Sequence, residues 1–234
     1  CEFMKKFVSL LFLALLLITG VKKADAANIV TKETLVKKIQ SFFVINKTVT
    51  GEFFLKRDNL LERGIFYFKA PNKFKMVFGF NTGFKIEEKT IVSTGKQLWV
   101  YLPSIKVVIN QDISRAQGNI AYSGSGIGIR RLIKKYDYDF YNNDSSLKNE
   151  PGVDEPVRIL RLYRPKSFTG FNEILLYVRE DGFILKSRGV TDKNKVIELV
   201  RKSIKLNVEV DNKHFVFRVP QDAQIIRNPL VGSR

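Results

Sequence analysis

Residues 64–80, GIFYFKAPNKFKMVFGF, decide the fold. Residues 64–69 read as a strand, and beyond them Phe74, Met76, Phe78 and Phe80 alternate with Lys75, Val77 and Gly79. A strand sends successive side chains to opposite faces, so this period of two puts four large apolar groups on one side of a sheet.

The same period extends in both directions. Upstream, TVTGEFFLKR (48–57) is a strand, with a polar turn at Arg57-Asp58-Asn59. Downstream, strands are expected at 84–93, at QLWVYL (97–102) after the turn Thr94-Gly95-Lys96, and at IKVVIN (105–110). Further strands are read at 136–142, 157–164, 172–179, 183–190, 196–210 and 214–219. In 196–210 the expected apolar face is Ile204, Leu206, Val208 and Val210, and in 214–219 it is Phe215, Phe217 and Val219. Residues 143–156 carry two prolines and read as a surface loop. Two segments depart from the pattern. TKETLVKKIQSFF (31–43) spaces Leu35, Ile39 and Phe42 three to four apart, which predicts an amphipathic helix opening at Thr31. Residues 118–128 are glycine-rich and lead into a short basic helix, IRRLIKKY (129–136). About ten strands joined by short turns imply one large antiparallel sheet, strongly curved or nearly closed. It either packs on itself or encloses an apolar cavity under helical lids; alternation alone leaves both open.

The amino end reads as an export signal. Cys1-Glu2-Phe3 are set aside as a cloning scar or a misplaced start; Lys5 and Lys6 precede a run of apolar or small residues from Phe7 to Ile18, and Ala24-Asp25-Ala26 marks cleavage before Ala27. That run would make about 18 Å of helix, too short to span a bilayer core of roughly 30 Å. The expected mature chain, 27–234, is soluble, periplasmic and monomeric, and holds 36 basic and 21 acidic residues, a net charge of +15. It has no cysteine, hence no disulfide, thiol nucleophile or lipid acceptor. Its one histidine, His214, reads as a surface residue flanking a turn. SGSGIGIRR (123–131) lacks the Gly-Lys-Ser/Thr ending of a phosphate loop, and Glu87-Glu88 would point to opposite faces of a strand. The expectation is no enzyme, no metal, no cofactor and no nucleic-acid partner.

Three stretches in order, GIFYFKAPNKFKM (64–76), IVSTGKQLWVYLPSIKVV (91–108) and DNKHFVFRVPQDAQII (211–226), resemble the LolA family of periplasmic lipoprotein carriers. The likeness covers residues 28–226. It implies an incomplete, unclosed antiparallel β-barrel of about ten strands, mainly β, with short lid helices over an apolar cavity. It also implies lipoprotein acyl chains as cargo, an inner-membrane lipoprotein-releasing transporter as donor and an outer-membrane acceptor. The expected cavity wall is Phe66, Phe68, Phe74, Met76, Phe78, Trp99, Tyr101, Leu206, Phe215 and Phe217, and Phe74→Glu should impair lipid binding in a folded protein. Gly124, Gly126 and Gly128 would hinge a lid carrying Leu132 and Ile133. The family's latch arginine before the proline is Ala70 here, while Lys69 should point to the opposite face. Two other readings stay open: a carrier or sensor of phospholipid or glycolipid, and a regulatory interaction protein of the same fold.

Overall fold

Thr31 caps the first helix as the sequence predicts: its hydroxyl accepts a hydrogen bond from the Thr34 amide at 3.2 Å at the start of α1 (Lys32–Ile45). A computed structural model describes residues 30–79, 89–112, 126–165 and 170–228. The export signal, Phe80, Glu87-Glu88 and Gly124 lie outside the described residues. All elements named below belong to one unit, Thr31–Arg234.

After α1 come β1 (Thr48–Arg57), β2 (Leu60–Lys69), β3 (Lys73–Gly79), β4 (Lys89–Thr94), β5 (Gln97–Leu102) and β6 (Val107–Asp112). Helix α2 (Gly126–Lys134) leads to β7 (Asp137–Phe140), β8 (Arg158–Tyr163), β9 (Phe171–Val178), β10 (Ile184–Thr191), β11 (Val196–Leu206) and β12 (Gln224–Arg227). They form one sheet in the order β12-β6-β5-β4-β3-β2-β1-β11-β10-β9-β8-β7, with β12 and β7 at its two edges. The sheet is therefore an unclosed barrel, as expected, but of twelve strands among the described residues rather than about ten. Neighbours are antiparallel except β12 and β6, which run parallel.

Register assigns the faces, because residues directly opposite each other share one. Phe68 pairs with Val49 and Phe74, Phe66 with Gly51 and Met76, and Met76 with Ile91. This is the concave face. Helix α1 buries Leu35, Val36, Ile39 and Phe42 on it, with ring centroids 4.9 Å apart for Phe42–Phe183 and 4.6 Å for Phe43–Phe68. Each such side chain taken from water contributes about 1.5–3 kcal/mol. Helix α2 packs beside α1 and buries Ile129 and Ile133.

The opposite parity defines the convex face, where Tyr67, Lys75, Val92 and Trp99 lie in one row. The strand expected at 214–219 is absent. β11 ends at Leu206, and the chain folds back over the convex face instead. The Lys69 ammonium donates to the Val210 carbonyl at 2.8 Å, a 3-10 turn at Asn212–Phe215 packs on β3 and β4, and β12 then joins β6. His214 sits in that turn, stacked on Tyr67 with centroids 4.4 Å apart. Phe217 stacks on Trp99 at 5.5 Å, and Phe215 is buried.

Ion pairs fasten α1 at its first residue and at its middle. Lys32 reaches Asp139 of β7 at 2.9 Å, and Lys38 reaches Glu180 at 2.8 Å, where Arg158 also bonds. The Lys32 ammonium lowers the Asp139 pKa, and Lys38, then Arg158, lower that of Glu180. A depressed folded pKa means that the unfolded chain binds more protons, so this stabilisation is present above the ordinary values of 3.8 and 4.5 and is lost as pH falls below them. The urea midpoint is expected to decline on acidification through that window. A midpoint unchanged across it would show that these pairs contribute nothing to stability.

Candidate functional site

Beyond the end that α1 fills, the concave face does not pack solid. It encloses a cavity of about 270 Å³. β3 and β4 supply Phe74, Met76, Phe78 and Ile91; β1 and β11 supply Leu55, Ile197, Leu199 and Arg201. β9 and β10 add Phe171, Ile174, Leu176, Ile184, Ser187 and Gly189, and α2 closes it with Ile129 and Leu132. The wall is aliphatic and aromatic except for Ser187 and Arg201. A second void of about 20 Å³ lies next to it, bounded in part by Phe43, Phe53, Phe66, Phe183 and Arg201.

Local chemistry sets this shape. A Cβ on Gly189 would fall 2.5 Å from the Phe171 ring, so the missing side chain is what lets that ring lie against β10. The Tyr136 hydroxyl, just past α2, donates to the Phe171 carbonyl at 2.9 Å and ties the end of α2 to the wall. The register of β11 slips opposite Thr50 and Glu52, next to Ser203, whose φ is 54°. Ile197, Leu199 and Arg201 consequently share the concave face with Ile204 and Leu206, although the two sets differ in parity. Among the described residues no group of acidic, histidine or cysteine side chains is arranged to hold a metal.

The structure brings together part of the expected wall. Phe74, Met76 and Phe78 line the larger cavity and Phe66 the smaller void. Phe68, 1% exposed, and Leu206 instead pack under α1 in the solid part of the core. Trp99, Tyr101, Phe215 and Phe217 are outside the cavity altogether: Trp99 and Tyr101 are on the convex face, and the segment after β11 supplies the two phenylalanines that pack there or nearby. Alternation misassigns them because a convex face covered by its own chain is as apolar as a concave one. Gly126 and Gly128 belong to the first turns of α2. Leu132 faces the cavity, whereas Ile133, 2% exposed, is buried away from it. Ala70 packs against the core, its amide donating to the Lys47 carbonyl at 2.8 Å, and Lys69 holds the convex segment rather than a lid. Leu55, Ile91, Phe171, Ile174, Leu176, Ile197, Leu199 and Arg201 are cavity residues that the sequence pattern does not single out.

Comparison with known proteins bears on this geometry. Residues 47–218 match the family model described as outer membrane lipoprotein carrier protein LolA. Comparison with curated protein sequences returns no match. An uncharacterized conserved protein from Thermus thermophilus shares the fold, with a TM-score of 0.55 and 15% identity over 83% of this chain and 98% of that one. MucB does so with a TM-score of 0.51 and 10% identity over 83% of this chain and 64% of that one. Lipoprotein LppX of Mycobacterium tuberculosis aligns at 13% identity and a TM-score of 0.45, over 77% and 99% of the respective chains.

Proposed function

The chain belongs to the LolA family, and on that premise we propose that it carries acyl chains, those of lipoproteins foremost, through the periplasm from inner to outer membrane. The observation that supports this most is the apolar cavity inside the open barrel. Each methylene moved from water into such a wall gains about 0.8 kcal/mol, so an acyl chain too insoluble to cross an aqueous space alone is stabilised there. Among the described residues the lining offers no nucleophile with a base beside it, which fits a carrier better than an enzyme. An inner-membrane lipoprotein-releasing transporter would load the cavity and an outer-membrane acceptor would empty it.

The cavity volume favours one alternative. At about 270 Å³ it falls just below the roughly 300–1,000 Å³ of ordinary small-ligand sites, so it suits one chain better than the several of a lipoprotein unless the lid moves. A carrier of single-chain or other amphiphiles is therefore the second reading. Incubation with spheroplasts making a labelled lipoprotein separates the two. Release of the lipoprotein into the soluble fraction supports the first, and release of phospholipid or fatty acid alone supports the second. Failure to release any lipid contradicts both.

A further inference from the structure

Arg201 is anomalous in this cavity. It stands on β11 opposite Phe53, lines both the large cavity and the small void, and so marks where the cavity meets the aromatic core. Its guanidinium has five N–H donors, yet among the described residues one hydrogen bond is formed, from Nη1 to the Ile184 carbonyl at 3.1 Å. Among the described residues no carboxylate pairs with it, and none lines either space. The one acidic side chain buried among them, Glu62, is already held by Arg57 at 2.9 Å and Lys89 at 2.6 Å. Burial draws the Arg201 pKa down to about 10, which leaves the group charged at neutral pH.

Arg201 is half-buried, and a charge set in an apolar wall without a counter-charge is costly, so proteins ordinarily pair it. A structural role would be served by an acid on a facing strand or by a second carbonyl. Instead, the donors left without a partner among the described residues border an apolar cavity, and the other polar side chain in its wall is Ser187. Ser187 lies opposite Leu199, two residues from Arg201 on the same face, within diagonal reach across the two strands.

We propose that Arg201, with Ser187 beside it, anchors the anionic head group of an amphiphile, a carboxylate or a phosphate ester, whose hydrocarbon tail occupies the cavity. This rests on the acyl-carrier reading and narrows its cargo. The guanidinium fork matches two oxygens of either head group, and low local dielectric strengthens the pairing. Neutral chains of equal length gain the same apolar burial and lack the anchor.

The test is titration of the purified protein with palmitate, cetyl phosphate and cetyl alcohol, repeated with Arg201→Met and Arg201→Lys. At least one anion should bind about tenfold or more tighter than the alcohol. Arg201→Met should lose that preference and keep its affinity for the alcohol, while Arg201→Lys should retain part of the preference. Equal binding of all three by the native protein would overturn the anchor and leave the carrier reading intact. A preference that survives Arg201→Met would also overturn it, assigning the effect to the basic surface. Binding of none of the three would remove the carrier reading and the anchor with it. The comparison within the native protein decides the matter even if a variant misfolds.

Discussion

Met76→Asp is expected to weaken binding of a long acyl chain by about fifty-fold while Met76→Leu leaves it near normal. Met76 is half-buried on β3, with Phe74 and Phe78 two residues away on the same face and Phe66 and Ile91 opposite it on the adjoining strands. A carboxylate there stays hydrated, and a chain must give up contact with that stretch of wall. Losing about three methylenes at roughly 0.8 kcal/mol each amounts to ~2.4 kcal/mol, and about 1.4 kcal/mol is tenfold in affinity. Phe74, the position that the sequence alone suggests for such a test, is 3% exposed and part of the packed core, so a charge there would test folding as much as binding. Calorimetric titration, with melting curves for both variants, is the measurement. Unaltered affinity in a folded Met76→Asp protein would mean that chains bind elsewhere.

Gly182→Ala should cost about 3 kcal/mol, which for a domain of this size lowers the melting temperature by roughly 6–12 °C. Gly182 turns the chain between β9 and β10 with φ at 96°, and a Cβ there would lie 2.5 Å from the backbone carbon and oxygen of Lys38. The substitution therefore adds left-handed strain and pushes α1 off the core it closes. Gly152→Ala separates the two effects. Its φ is 77° but nothing lies within 4 Å, so strain alone should cost about 1 kcal/mol. Equal losses for the two variants would show that α1 does not press on this turn.

What can be read from the sequence is whatever depends on local period. Helix α1, the strands around Phe66, Met76 and Trp99, and the loop before β8 all follow from spacing and turn chemistry. Which face an apolar residue occupies does not. Trp99 and Tyr101 alternate as cleanly as Phe74 and Met76, and their convex position depends on a segment more than a hundred residues later in the chain. The slip near Ser203 likewise brings Leu199 and Arg201 onto the face of Ile204, where strict alternation would have separated them. That one irregularity hides the part of the cavity wall that β11 supplies. The parallel pairing of β12 with β6 needs a long return, which no hairpin signal announces.

The central claim is that the cavity holds hydrocarbon chains. Native mass spectrometry of the protein purified from the bacterial envelope, with extraction and identification of whatever it carries, tests that claim most directly. A bound acylated species, displaced or weakened in Met76→Asp, is the predicted result. A clean unliganded mass, with no uptake when an acylated peptide or a fatty acid is added, would contradict it.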